Sequence, residues 1–273
     1  MATPRARRRK TVGVAFGSGG IRGIAHIGVL KSLHEHGISI DCIAGSSVGA
    51  WIGAHYALYR DIALLEELTV GNKREKLNSL FEISLRGGLV KGERVKRLVE
   101  RWLGDSDFES AHVPIRIVAC DLVTGEQTVF SSGKLATAVR ASLSVPSIFA
   151  PFMHDGRALV DGGIVNPVPA DVARGMGADV VIAVNLDNFV RGDVFTPHDS
   201  ASIPRVTNRS VDLLRHYLAQ RCSAHADVVI EPLNTRDELS NWKNYFLNDI
   251  GMEHIRLGMA AAEEKMPEIL RLL

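Results

Sequence analysis

Ile43-Ala44-Gly45-Ser46-Ser47-Val48-Gly49-Ala50 is the stretch on which the reading of this chain turns. It reads as the end of a short apolar strand, a tight turn and the start of a helix, with Ser47 at the centre. In a Gly-x-Ser-x-Gly elbow the serine sits on a cramped strand-to-helix turn, so the residues two before and two after it must lack a Cβ for strand and helix to pass closely. Gly45 and Gly49 meet that need. Small residues recur by chance in a chain with 25 glycines, so the flanking sequence has to decide.

Upstream, residues 11–16 read as a buried strand, Gly17-Ser18-Gly19-Gly20 as the loop after it, and residues 21–37 as a helix. Its apolar face carries Ile24, Ile27, Val29, Leu30 and Leu33, and Gly37 is its stop. Residues 40–44 form a second strand that delivers the elbow, and residues 48–59 a mostly apolar helix. Strand, helix, strand, helix is the pattern of a parallel sheet. Downstream, residues 61–81 read as a more charged helical stretch and 85–90 as a glycine-containing connector. A helix follows at 93–103, strands at 115–122 and 127–131, and a helix at 135–143 ended by Val145-Pro146. A short strand at 158–161 closes in Asp161-Gly162-Gly163, followed by a helix at 169–176 and a strand at 180–184. Residues 187–204 lack periodicity and read as a long surface loop; a helix at 205–221, a strand at 227–231 and a helix at 253–273 complete the chain. The expected fold is a three-layer α/β/α sandwich with a mainly parallel central sheet. The expected organisation is a basic tail at residues 1–10 and a single domain at 11–273, whose motif-bearing part spans about 12–175.

Composition narrows the function. The 32 Lys+Arg against 31 Asp+Glu leave a formal net charge of +1, so no global field points to nucleic acid. Cys42, Cys120 and Cys222 are odd in number and far apart, which points to free thiols and a reducing, cytoplasmic setting. No His/Cys/Asp cluster has ligand spacing, and no metal or cofactor is expected. Arg5, Arg7, Arg8, Arg9 and Lys10 resemble the start of a signal peptide, yet the apolar run after them is only strand length and breaks into glycines. No segment approaches the roughly 18 uncharged apolar residues of a membrane span. The basic tail is therefore either a solvated end or a peripheral electrostatic tether to anionic lipid, worth on the order of 1 kcal/mol per basic residue near such a surface.

Two consecutive strand-to-helix turns carry glycine or serine clusters, and parallel strands present such turns at one carboxyl edge of the sheet. Neighbouring strands lie only about 5 Å apart. Gly19 and Gly20 then offer unshielded backbone N–H groups at a helix start, where donors are unpaired and the dipole favours negative charge. That is an oxyanion hole beside Ser47. Arg22 on the same loop either supports the oxyanion region or a substrate phosphate, or makes a salt bridge at the turn. Phe149, Phe152 and Met153 line an acyl groove or belong to the core.

Gly17-Ser18-Gly19-Gly20-Ile21-Arg22-Gly23, then Gly45-Ser46-Ser47-Val48-Gly49, then Asp161-Gly162-Gly163 resemble, in that order, the three motifs of the patatin-like phospholipases. Ser142-Leu143-Ser144-Val145-Pro146-Ser147 before the aspartate and Asn166-Pro167-Val168-Pro169 after it resemble the same family, most closely its bacterial branch related to neuropathy target esterase. The plant pattern Asp-Gly-Gly-Gly-x-Arg/Lys-Gly is altered here, with Gly17 in place of the acid and Ser18 in place of the first glycine. The resemblance implies a patatin-like fold and hydrolysis of a lipid or other fatty-acyl ester through an acyl-enzyme. It makes Ser47 the nucleophile, Asp161 its sole partner in a Ser-Asp dyad, and the Gly19-Gly20 loop the oxyanion hole.

Two other readings stand beside it. A dinucleotide-binding loop would follow the first strand, with Asp41 about 20 residues beyond, but Gly17-x-Gly19-x-x demands glycine where Arg22 stands. A Ser-His enzyme, either a triad hydrolase or an acyltransferase, would draw on His216, His225 or His254, all of which follow Asp161 in the chain.

Overall fold

The computed structural model describes residues 8–71, 92–146, 148–188, 202–232 and 250–273. Strand β1 (Val12–Phe16) pairs in parallel with β2 (Cys42–Ser46) on one side and, on the other, with β7 (Val180–Val184). The sheet extends in parallel to β8 (Val228–Ile230) beyond β7 and to β3 (Ile115–Asp121) beyond β2. Three short strands, β4 (Gln127–Phe130), β5 (Phe152–His154) and β6 (Arg157–Asp161), add antiparallel pairing around β3, giving the order β5-β6-β3-β2-β1-β7-β8 with β4 also on β3. Strands β1, β2 and β7 are buried throughout, as parallel strands covered on both faces must be.

Side-chain alternation along the strands divides the interior. Val12, Val14 and Phe16 of β1 and Ile182 and Val184 of β7 meet one helical layer. It is built from α1 (Ala25–Glu35), α2 (Val48–Tyr59), α4 (Glu93–Leu103), α5 (Leu135–Ser142) and α8 (Ile250–Leu272), with the short α3 (Ile62–Glu66) at its margin. Ala15, Val181 and Ala183 point the other way, to Val172 and Ala173 of α6 (Ala170–Gly175) and Ala219 of α7 (Ile203–Ser223). That second interface is made of small residues because the backbones approach closely: a Cβ on Gly13 would lie 2.7 Å from that of Ala178. Helix α8 lies tightly across α1, where a Cβ on Gly28 would fall 2.0 Å from the carbonyl oxygen of Ile255.

Several boundaries differ from the sequence reading for local reasons. The helix expected at 21–37 opens as a tight 3-10 turn, Gly20–Ile24, before α1, because Gly23 is wedged under Val48 with no room for a Cβ. The second strand runs to Ser46, two residues later than expected, since its partners in β1 and β3 hold it in register through Gly45 and Ser46. Strand β5 was not foreseen. Asp155 and Gly156, both at positive φ (48° and 74°), form the hairpin turn that joins it to β6, and Asp-Gly is the sequence sign of such a turn. Of the charged helical stretch expected at 61–81, residues 72–81 lie outside the described residues, as do the connector at 85–90 and residues 189–201 of the long loop.

The basic tail is not wholly free. Arg8 pairs with Asp179 at 2.9 Å, Arg9 with Asp41, and the Lys10 ammonium donates to the carbonyl of Leu272. These contacts tie Arg8, Arg9 and Lys10 down at the amino edge of β1; Arg5 and Arg7 lie outside the described residues. Among the described residues no helix is long and apolar enough to cross a membrane.

Candidate active site

Ser47 sits at the junction of β2 and α2 with φ 55° and ψ −125°. A side chain at positive φ is strained and persists only where the surroundings over-determine it. They do so from both sides. A Cβ on Gly45 would lie 2.5 Å from the Cα of Ala50, and one on Gly49 would lie 2.2 Å from the carbonyl oxygen of Phe16. The Ser47 amide donates to Ser142 Oγ at 2.7 Å, and that hydroxyl donates in turn to the carbonyl of Val118 at 2.6 Å. The buried Ser142 thus pins the turn to β3.

Asp161 reaches Ser47 through a division of labour along β3. The first part of β3 pairs with β2 up to Ser46 opposite Val118, and β4 occupies its other edge. Where β2 leaves the sheet at the elbow, β6 takes over the vacated edge, with Asp161 opposite Ala119. The last residue of β6 therefore abuts the residue that follows β2. Ser47 Oγ donates to Asp161 Oδ2 at 2.5 Å, and Asp161 Oδ1 accepts from the Gly163 amide at 2.7 Å. The carboxyl is buried, and burial raises its pKa from 3.8 to about 6, against the opposing pull of the Ser47 and Gly163 hydrogen bonds.

The glycine loop lies alongside, after β1. The Gly17 amide donates to Val184 O at 3.1 Å and that of Ser18 to Pro167 O at 2.7 Å. Among the described residues no acceptor takes the amides of Gly19 and Gly20. Gly19 has no space for a Cβ, which would strike Leu186 at 2.6 Å, and Gly20 has φ 57°. Arg22 is 3% exposed and works from behind: Nε donates to Gly19 O at 3.2 Å, Nη1 to Leu186 O at 2.8 Å, and Nη2 pairs with Asp187 at 3.2 Å. A guanidinium so enclosed braces the loop, joining the Gly19 and Leu186 carbonyls to the Asp187 carboxylate.

Sequence reasoning missed two contributors here. Asp187 is fully buried and takes Arg22, Arg215 Nη2 at 3.0 Å and the Ser18 hydroxyl at 3.4 Å. Ser142 has the role given above. The flanks also have physical tasks: Ser144 O accepts the Asp161 amide at 3.0 Å, and Pro167 O fixes Ser18. Nothing in local pattern separates Asp187 or Arg215 from ordinary surface charges.

Residues 14–174 match the family model described as patatin-like phospholipase. The chain belongs to the patatin-like phospholipase family. An NTE family protein of Mycobacterium tuberculosis is 38% identical over 181 residues, which are 66% of this chain and 50% of that protein. Patatin-like phospholipase domain-containing protein 6 of Homo sapiens is 34% identical over 199 residues, 70% of this chain and 14% of its own length. The chain thus spans half or less of the length of these relatives. The crystal structure of VipD from Legionella pneumophila covers 94% of this chain and 68% of its own at 13% identity and a TM-score of 0.49.

In this patatin-like chain Asp41 and His216, which the two rival readings would use, are engaged elsewhere. Asp41 lies at the amino edge, accepting from the Val12 amide at 2.7 Å and pairing with Arg9, at the opposite end of the sheet from the glycine loop. His216 donates through Nδ1 to the carbonyl of Asp187 at 2.6 Å, and His225 is exposed beyond α7. His254 is buried in α8, where burial and nearby Arg22 push its pKa down to about 4. Phe149 and Phe152 pack against buried residues and flank the Arg140 guanidinium, while Met153 is 66% exposed on an edge strand.

Proposed function

We propose that this chain is a serine acyl hydrolase acting on lipid or other fatty-acyl esters through a Ser47–Asp161 dyad. The observation that carries the reading is the 2.5 Å contact from Ser47 Oγ, on a strained elbow, to a buried carboxylate. Ser47 Oγ attacks the acyl carbonyl carbon while Asp161 Oδ2 takes the hydroxyl proton. The amides of Gly19 and Gly20 receive the charge that gathers on the carbonyl oxygen, the term expected to supply most of the rate. As the tetrahedral adduct collapses, the C–O bond to the alcohol breaks and Asp161 returns its proton to the departing oxygen. Water then adds to the acyl-enzyme with Asp161 again as base, releasing a carboxylic acid and restoring Ser47. A carboxylate is a weak base for a hydroxyl. The rise from 3.8 to about 6 narrows that mismatch by about 3 kcal/mol.

A fluorophosphonate probe followed by peptide mapping tests the assignment. Labelling is expected at Ser47 alone and is lost in Ser47→Ala. Modification of another serine, or none in protein that turns over a short-chain ester, would overturn the reading.

A further inference from the structure

We propose that His26 is a positioning residue for the reaction: its Nε2–H holds the Gly17 carbonyl and thereby aims the amides of Gly19 and Gly20 at the carbonyl oxygen of the substrate. His26 lies at the start of α1, is wholly buried, and leans its ring on that of Phe16 with the centroids 5.0 Å apart. Its Nε2 stands 2.8 Å from Gly17 O. A carbonyl oxygen only accepts, so Nε2 carries the hydrogen of the neutral ring. Nδ1 is then a bare acceptor, buried and without a partner among the described residues. A second proton would sit there with nothing to receive it, and burial pushes the pKa of the ring down to about 4. The ring thus stays a neutral Nε2–H donor through the range in which Asp161 ionises.

The Gly17 carbonyl and the Ser18 amide belong to one planar peptide unit, and that unit is gripped at both ends. His26 donates to its carbonyl, and its N–H donates to Pro167 O at 2.7 Å. The same carbonyl oxygen abuts the elbow, where a Cβ on Gly49 would lie 2.6 Å from it. The next two residues need such a grip. Gly19 and Gly20 have no side chain to limit their backbone angles, and no acceptor among the described residues fixes their amides. On the far side Arg22 Nε donates to Gly19 O at 3.2 Å, and His26 is the counterpart upstream. The two amides therefore hang between two anchored peptides. Without the Nε2–H the Gly17 carbonyl loses this donor and the peptide can tilt, carrying the Gly19 amide off the developing charge, where stabilisation depends on alignment.

The role rests on the acyl-hydrolase reading, so the ring is measured apart from turnover. In the full chain with nitrogen-labelled histidine, NMR should show the His26 ring, assigned by its absence from the variants below, as an Nε2–H tautomer that does not titrate from about pH 5 to 8. His26→Phe keeps a ring against Phe16 and loses the donor. On a water-soluble short-chain ester its kcat should fall about tenfold or more while KM stays within about twofold. His26→Gln places an amide nitrogen near the position of Nε2 and should recover kcat to within about threefold of the unsubstituted chain. His26→Asn, whose amide stops near Nδ1, should remain as slow as His26→Phe. An Nδ1–H or titrating ring, an unchanged kcat in His26→Phe, or a His26→Gln no faster than His26→Asn overturns the proposal. If His26→Phe does not fold, the Gln and Asn variants decide; failure of all three to fold would make His26 a packing residue and overturn the proposal as well. No hydrolysis by the unsubstituted chain would count against the catalytic reading and leave the tautomer measurement standing.

Discussion

Replacing Asp161 by Asn keeps the shape of the side chain and removes its charge, so it separates what the carboxylate does for catalysis from what it costs the fold. In the folded protein burial raises the Asp161 pKa to about 6, against 3.8 for the water-exposed carboxyl of the unfolded chain, because burial disfavours the anion. For an acid whose folded pKa is raised, stability is full below the lower value and is lost as pH rises through the higher one. The loss here is about 3 kcal/mol, complete above about pH 7. Asp161→Asn should therefore be more stable than the unsubstituted chain at pH 8 by up to about 3 kcal/mol, several degrees in melting temperature for a domain of this size. The two should converge near pH 4. Hydrolysis of a soluble ester should be almost abolished in the same variant. In the unsubstituted chain kcat/KM should fall below a pKa near 6, reaching about a tenth of its plateau at pH 5. Calorimetric melts at pH 4 and 8, with a pH–rate profile from 5 to 8, decide the matter. An Asn variant that melts lower at pH 8, or a rate that is flat across the range, would refute the reasoning that this carboxyl is a desolvated base.

Gly49→Ala should fail to fold or melt far lower, since its Cβ would meet the Phe16 carbonyl oxygen at 2.2 Å; a soluble variant with unchanged melting would show that the elbow is not close-packed. Ser142→Ala strips the Ser47 amide of its acceptor and the Val118 carbonyl of a donor, costing about 1–3 kcal/mol. It should lower kcat more than it raises KM, which steady-state kinetics on a soluble ester would read. Asp187→Asn leaves Arg22 and Arg215 facing a neutral side chain in a buried site, a loss of about 3–5 kcal/mol by the usual cost of breaking such pairs. Its melt should drop and its turnover should suffer through the loosened Gly19 loop. Single substitutions of His216, His225 and His254 should leave turnover per folded molecule within about tenfold, a barrier change near 1.4 kcal/mol; abolition by any one of them would restore the Ser-His reading.

The pieces of the site were legible in the chain because each is a local backbone requirement. A strand-to-helix turn this tight admits only small residues around Ser47, and the loop after β1 leaves Gly19 no room for a Cβ against Leu186, so the glycines mark both turns in any reading of the sequence. The parallel core was legible for a similar reason, since strands covered on both faces must be apolar throughout. What joins the pieces is not local. Ser47 and Asp161 are 114 positions apart, and they meet because β3 outlasts β2 and passes its free edge to β6, a matter of strand length and register. The meaning of the charged residues was decided at the same level. Arg22 became a brace because Asp187 and the Leu186 carbonyl arrive from the end of β7. Asp161 holds its proton more tightly than an ordinary carboxyl because packing removed the water around it. Helix α7 shows the same limit: the sequence marks a helix there, and only the packing of His216 and Ala219 inward turns Ile203, Leu214 and Tyr217 out to solvent.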